Sequence, residues 1–250
     1  MMRTGNPVLN EGAFDRWAQE GGFSSSSVMT VSGAVNKSMV LIGLTASLGL
    51  LSYSYLQNNP QLLMPSLIGS AIGGLIASLC VCFWLRSAPV AAPIYALLEG
   101  VFLGGITTIF EARFPGIGVQ AIAATVGVAA AMLLAYKVGL IRATATFRAG
   151  IIAATGGIGL VYLLAFVLSL FNIQAMSFVY DASLLGIGFT AFCVIIAALN
   201  LILDFDFIAT AASQNLPKNY EWLAAHGLNV TLVWLYLEML RLLSKLQSRD

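Results

Sequence analysis

Charge is what this sequence lacks most. Only 9% of its 250 residues are charged, whereas 59% are hydrophobic, and the mean hydropathy is +0.88. Soluble globular proteins carry about a quarter charged residues. The composition therefore excludes an ordinary soluble domain and indicates a membrane protein. The 12 Lys and Arg residues nearly balance the 11 Asp and Glu residues, so the chain also lacks the basic surface that binds nucleic acid.

Cysteine and histidine are also scarce. Cys80 and Cys82 lie in one apolar run and Cys193 lies in another, a pattern that fits neither a zinc finger nor a set of disulfides. We interpret all three as small buried hydrophobes. His226 is the single histidine, which argues against a zinc site or a Ser-His-Asp triad. We therefore predict no catalytic residues and no tightly bound cofactor.

Apolar runs follow one another from Lys37 onward, with short breaks. A helix needs about 20 residues to cross about 30 Å of hydrocarbon. The runs lack the alternation of barrel strands, so we predict an all-α bundle of seven transmembrane helices. The predicted spans are Ser38–Leu56, Leu67–Leu85, Ala91–Phe110, Val119–Lys137, Gly150–Phe171, Ser183–Leu203 and Leu228–Leu243.

The predicted bundle occupies residues 37–246, between two polar tails. Residues 1–36 are rich in Asn, Gly and Ser and contain no signal-peptide core, so we expect a mobile tail that is not cleaved. Residues 247–250 form a short second tail. The seventh run contains Glu238 and Arg241, and it could instead be a re-entrant or interfacial helix.

Basic residues favour a cytosolic amino terminus. With that orientation a single basic residue of the connections, Arg113, lies outside, and the others lie inside; these are Arg3, Arg16, Lys37, Arg86, Lys137, Arg142, Arg148 and Lys218. The basic residues near the carboxyl terminus would lie outside if the seventh run spans the membrane, which conflicts with the same rule.

Four acidic residues lie within or at the end of apolar runs: Glu99, Asp204, Asp206 and Glu238. An acid at membrane depth costs several kcal/mol unless it meets water, a partner or a proton, so each is a functional candidate. Two helix positions that are two residues apart point about 200° away from each other. At most one of Asp204 and Asp206 therefore faces the interior of the bundle.

Asp204 and Glu238 are candidates for a pair. The midpoint between them falls close to the break before the seventh run, so they can face each other if both point inward. Two carboxyls in a low dielectric share a proton and titrate together, which makes a pH switch. When ionised they suit a hard cation such as calcium, which protons would displace. The alternative is that buried acids only lock helices together.

Three stretches resemble the Bax-inhibitor/TMBIM family. AALNLILDFDFI at 197–208 and VWLYLEMLRLL at 233–243 resemble its last two helices, and ALLEGVFLG at 96–104 resembles its third. The resemblance covers the chain from about Lys37 to Leu246. It is especially close to a bacterial branch with a start like Asn6–Leu9, which places the protein in a bacterial plasma (inner) membrane.

The resemblance implies a seven-helix bundle with its last helix central and a pH-sensitive calcium leak gated by two acids. Asp204 matches the sixth-helix acid, and Glu238 stands where the family commonly has Asp on the seventh helix. An arginine latches the sixth-helix acid in the family, and Arg86 is the candidate match. Three features depart from the family: the longer Glu side chain, the additional acid Asp206, and a longer connection between the last two helices.

Three functions follow as alternatives. The leading one is a calcium-permeable leak channel, with Asp204, Glu238 and Glu99 as ion pathway and pH sensor and calcium as permeant or transient ligand. The second is a regulator that binds a membrane protease or a stress-pathway component through packed helix faces such as Gly100/Gly104. The third, an intramembrane hydrolase, is disfavoured because no Gly-x-Gly-Asp motif is present.

Overall fold

The computed structural model describes residues 28–171, 173 and 176–249. This part of the chain forms seven α-helices and no β-strand, which confirms the all-α prediction. The helices, numbered in chain order, are α1 (Val31–Asn58), α2 (Leu63–Phe83), α3 (Ala88–Arg113), α4 (Ile117–Lys137), α5 (Ala145–Leu170), α6 (Leu184–Ser213) and α7 (Tyr220–Gln247). Short 3-10 turns at Pro60–Leu62, Leu85–Ser87 and Ser177–Val179 lie in the connections.

Hydroxyl side chains define where three of the helices begin. Thr30, Thr144 and Ser183 each accept a hydrogen bond from the backbone N–H three residues further along. Such a cap satisfies one of the donors that a helix leaves free at its start. Between α3 and α4 the chain turns sharply at Gly116, whose φ of 87° lies in the region that favours glycine.

All seven helices are long and apolar enough to cross a membrane. The chain is therefore an integral membrane protein, as its composition predicted. Helix α7 runs unbroken over 28 residues, which favours a full crossing over a re-entrant segment. Of the predicted polar tail of residues 1–36, the last six residues belong to helix α1, which begins at Val31. The rest of that tail prediction, residues 1–27, lies outside the described residues.

Helix α7 is the centre of the bundle, as the family resemblance implied. It packs against α1, α2, α3, α4 and α6. In its most apolar stretch 61% of the residues are buried, compared with 17% in α1 and in α5. Leu235 and Leu240 of α7 are completely buried, and so is the acidic residue Glu238. Polar groups on α7 are therefore shielded from lipid by the surrounding helices.

Helices α1 and α3 pack closely through glycines. A Cβ atom placed on Gly100 would lie 2.7 Å from the carbonyl oxygen of Thr45, and one on Gly104 would lie 2.6 Å from that of Gly49. Small residues let two helix backbones approach in this way. The Gly100/Gly104 face is therefore occupied inside the chain. It does not form the free partner surface considered for the regulator.

A glycine replacement tests this contact. We expect Gly104→Ala to lower the free energy of unfolding by about 1–3 kcal/mol, the usual cost of overpacking. Gly43→Ala is the matched control on α1, because nothing lies within 4 Å of a Cβ atom at Gly43. Thermal unfolding of the detergent-purified variants, followed by circular dichroism, measures both. An equal loss of stability in the two variants would contradict close packing at Gly104.

Candidate functional site

Glu238 lies on α7 and is completely buried, yet its carboxylate is fully paired. Oε1 accepts hydrogen bonds from the Tyr162 hydroxyl at 3.0 Å, from Trp234 Nε1 at 3.1 Å and from an Arg241 guanidinium nitrogen at 3.0 Å. The Arg241 guanidinium also stands 4.8 Å from the centre of the Tyr162 ring. A buried carboxylate needs such donors. The contact with Tyr162 also ties the peripheral helix α5 to α7.

Asp204 lies on α6 and faces α7, but it has few partners. A Cβ atom placed on Gly227 would lie 3.8 Å from Asp204 Oδ1, and the side chain of Thr231 is within hydrogen-bonding reach of the carboxyl. Oδ2 is buried and has no hydrogen-bond partner among the described residues. A buried polar atom without a partner is costly and rare. Asp204 is therefore an acid whose ionised form still requires a cation or water.

Asp204 and Glu238 do not form the predicted pair in this structure, because each has its own contacts. The reason is the position of the turn. Helix α6 ends at Ser213 and α7 begins at Tyr220, so the midpoint of the connection makes Asp204 level with Asn229. The prediction placed this break too late in the chain. Glu238 lies more than two turns further along α7, in the other half of the bundle.

Asp206 faces away from α7, towards α4 and α5. It forms an ion pair with Arg148 of α5, and it accepts a hydrogen bond from the Tyr136 hydroxyl at 3.5 Å. The sequence argument that at most one of the two adjacent acids faces the interior is consistent with this arrangement. Arg148 is thus an arginine partner of the second acid of the sixth helix, Asp206. Arg86, the predicted latch, lies exposed in the 3-10 turn between α2 and α3.

Glu99 lies on α3, half-buried beside α2. Its carboxyl contacts the side chain of Tyr95 one turn earlier, and its Oε2 would lie 3.4 Å from a Cβ atom on Gly74. Tyr95 in turn contacts the ring of His226 on α7. Glu99 is therefore part of a polar group that reaches the central helix α7.

An apolar layer separates the acids along α7. Ala197 and Leu201 of α6 pack with Leu235 of α7 in one cluster, and all three side chains are completely buried. These residues lie between the level of Asp204 and the level of Glu238. The structure is therefore closed between Asp204 and Glu238.

Two acids that sequence reasoning missed are structural. Glu111 accepts hydrogen bonds from the backbone N–H groups of Gly116 at 2.6 Å and Gly118 at 2.9 Å, at the start of α4. Glu221 pairs with Lys37 and accepts a hydrogen bond from the Thr30 backbone at 2.9 Å, which joins the starts of α1 and α7. Acids stabilise helix starts because the free N–H groups point towards them. Their positions beside helix boundaries carried that signal.

Lys245 is a buried base near the other end of α7. Its ammonium donates to the carbonyl oxygens of Val179 at 2.9 Å and Gly186 at 3.0 Å, and to the Thr190 hydroxyl at 2.9 Å. These contacts fasten the connection before α6 to the end of α7. Nearby, hydrogen bonds from Ser183 hold the pKa of Asp181 below its ordinary value.

The described residues contain no group of three or more His, Cys, Asp and Glu side chains that could hold a metal ion. Calcium takes six to eight oxygen ligands, and the two acids predicted to bind it are apart.

The hydrogen bonds that Glu238 accepts from Tyr162, Trp234 and Arg241 lead to a stability prediction. We expect Arg241→Met to destabilise the bundle by about 3 kcal/mol, because Glu238 would keep a buried charge without its cationic partner. This is the low end of values for a broken buried pair, since the Arg241 side chain is 39% exposed. Adding Glu238→Gln should restore much of the loss. Thermal unfolding of the single and double variants measures the coupling, and additive effects would show that the pair contributes nothing.

A comparison with known families matches nearly the whole chain. A family model described as Bax inhibitor 1 like covers residues 6–248. No curated protein and no solved structure matches the chain.

Proposed function

Because the chain belongs to the Bax inhibitor 1 like family, we propose that it is a pH-sensitive, calcium-permeable leak channel whose ion path follows α7. The observation that carries the proposal is the buried Asp204 Oδ2 atom, which finds no hydrogen-bond partner in the described part of the bundle. An ionised carboxylate at that depth requires a cation or water. A permeating calcium ion supplies the cation, and an opened path supplies the water.

The acids divide the proposed path into two halves. Asp204 stands in the half that contains the start of α7, and Glu238 stands in the half that contains its end. The layer of Ala197, Leu201 and Leu235 closes the path between them. Apolar constrictions of this kind gate channels by excluding water. Opening therefore requires α6 and α7 to separate enough for water to reach Asp204.

Weak binding suits this role. An ion must enter a site easily and also leave it, so a channel needs shallow sites in sequence. Asp204 offers one carboxylate beside the Thr231 hydroxyl, and Glu238 offers another that is already engaged by Arg241. Calcium would have to displace Arg241 in order to contact Glu238. The Glu238–Arg241 ion pair is thus the second barrier along the proposed path.

Protons compete for the same oxygens. A protonated carboxyl is neutral and no longer attracts a cation, whereas an ionised one at this depth does. Since Asp204 and Glu238 have separate partners, we propose that a proton binds Asp204 alone, in place of the shared proton that the sequence suggested. Permeation would therefore depend on pH through Asp204.

Calcium flux into proteoliposomes at several pH values tests this function. We expect a pH-dependent flux in the wild type, and a flux at least about tenfold lower and without that dependence in Asp204→Asn, because the amide cannot bind a cation as a charge. Asp206→Asn is the matched control on the same helix, because Asp206 faces Arg148 outside the proposed path. Glu238→Gln should change the size of the flux, because it removes the carboxylate that pairs with Arg241.

Two results would overturn the proposal. One is flux and pH dependence that are the same in Asp204→Asn and the wild type. The other is a folded wild-type protein that passes no calcium at any pH.

A second candidate function is regulation of another membrane protein, such as a protease or a stress-pathway component. Glycines on α5 favour it: nothing in the described structure lies within 4 Å of a Cβ atom on Gly156, Gly157 or Gly159. Helix α5 is also among the least buried helices. Such a face can accept a helix from another protein.

Co-purification tests this alternative. We expect Gly157→Leu to lose a bound membrane partner that the wild type retains, because the leucine would block close approach of a second helix. Gly43→Leu, at an equally open glycine of α1, serves as control. Retention of the partner by Gly157→Leu would rule out this face.

For location, we propose a bacterial plasma membrane with the amino terminus in the cytosol. Seven crossings then put the carboxyl terminus on the opposite side. Arg241 and Lys245 lie near that side, against the usual bias of basic residues. Their partners Glu238, Val179 and Gly186 account for them, because both cations bind within the protein.

A further inference from the structure

His226 is a buried titratable group that the proposed ion path does not use. It lies in the second turn of α7 and is 2% exposed. Its Nε2 atom is 3.0 Å from the Ser78 hydroxyl of α2. Its Nδ1 atom is buried and has no hydrogen-bond partner in the ranges that the structure describes. A neutral imidazole has one donor and one acceptor nitrogen, so either tautomer leaves Nδ1 unsatisfied.

The surroundings of His226 lead to a second acid. The Tyr95 ring of α3 stands edge-on to the His226 ring, with 4.5 Å between ring centres and an interplanar angle of 81°. The Tyr95 side chain also contacts the Glu99 carboxyl one turn along α3. Ser78, Tyr95, Glu99 and His226 therefore form one polar group between α2, α3 and α7, which we call the His226 cluster.

We propose that the His226 cluster is a proton-binding site that holds one proton, shared between Glu99 and His226. With that proton the cluster is neutral overall, either as a neutral acid beside a neutral imidazole or as a carboxylate beside an imidazolium. With no proton or with two it carries a net charge, which is costly at membrane depth. Glu99 and His226 both contact Tyr95, and two ionisable groups that interact through a shared neighbour would titrate as a coupled unit.

Tyr95 is suited to connect the two ends of the cluster. Its ring packs against the His226 ring at one end, with 4.5 Å between the ring centres. Its side chain contacts the Glu99 carboxyl at the other end. Ser78 holds the imidazole in place through Nε2. Nδ1 is therefore the ring nitrogen that has no hydrogen-bond partner among the described residues.

Few other ionisable groups of the described residues face this site. On α7 itself Glu221 lies nearer the helix start and is paired with Lys37 of α1. On α2 the Cys80 thiol packs with the neighbouring apolar cluster. On α6 Asp204 approaches Gly227, the residue that follows His226. Asp204 is therefore the ionisable group whose charge the cluster would influence most directly.

The position of the cluster gives it a role in permeation. A proton on His226 places positive charge beside the Asp204 ion site and repels a cation there, whereas a deprotonated cluster with an ionised Glu99 attracts one. This role rests on the proposed leak function. Proton binding by the cluster does not, and it can be measured without any flux.

His226 can be observed without ambiguity because it is the only histidine of the chain. We would label histidine ring nitrogens with 15N, purify the protein on a histidine-free tag, and record spectra in lipid vesicles from about pH 4 to about pH 9, around the ordinary range of histidine. We expect the His226 signals to change from neutral imidazole to imidazolium within this range. Glu99→Gln should shift the midpoint down by about one pH unit or more, since an anion near an imidazolium stabilises it.

The controls separate proton sharing from a general change in fold. Glu111→Gln removes an acid elsewhere on α3, whose partners are the N–H groups of Gly116 and Gly118, and should leave the midpoint unchanged. Tyr95→Phe, which keeps the ring, should shift the midpoint less than Glu99→Gln. A His226 signal that stays neutral throughout, or a midpoint that Glu99→Gln leaves in place, would overturn the proposal. Loss of calcium flux alone would overturn only the leak function.

Discussion

In a membrane interior, a polar side chain has to find its partner within the protein, because lipid offers none. The arrangement of the seven helices follows from this constraint. Glu238 is surrounded by Tyr162, Trp234 and Arg241, and Lys245 is surrounded by carbonyl oxygens. Each contact joins α7 to a neighbouring segment or to its own next turn. The central position of α7 therefore combines apolar packing with the need to shelter its polar groups.

Two buried polar atoms of the described residues lack a hydrogen-bond partner. In the described part of the chain, the buried side-chain nitrogen and oxygen atoms without a partner are Asp204 Oδ2 and His226 Nδ1. His226 belongs to the second turn of α7. Asp204 of α6 lies beside Gly227 in the same part of that helix, on a different face. Native proteins pair nearly all their buried polar groups, so exceptions need an explanation. A state of the protein that admits water gives one explanation for both atoms. In that state Asp204 exchanges a cation and His226 exchanges protons.

Hydropathy was sufficient to predict the seven helices, because a long apolar run has no other stable form in lipid. The rarity of acids at membrane depth likewise singled out Glu99, Asp204 and Glu238. The partners were harder to predict. A turn that begins a few residues earlier than expected moved Asp204 from the level of Glu238 to that of Asn229. The sequence did not indicate that Arg148 pairs with Asp206, because only the packing of α5 brings the two side chains together. His226 gave no signal, since a lone histidine has no pattern.

The sequence by itself determined that the protein lies in a membrane, how many helices it has and which acids lie within apolar runs. These properties depend on composition and on run length along the chain. Only the tertiary structure decided which unusual residues are satisfied. Helix register and rotation set that outcome, and a shift of one residue turns a side chain by about 100°. Asp204 and Asp206 show the difference: they are two positions apart on α6, and one has an arginine partner while the other has a buried oxygen without a donor.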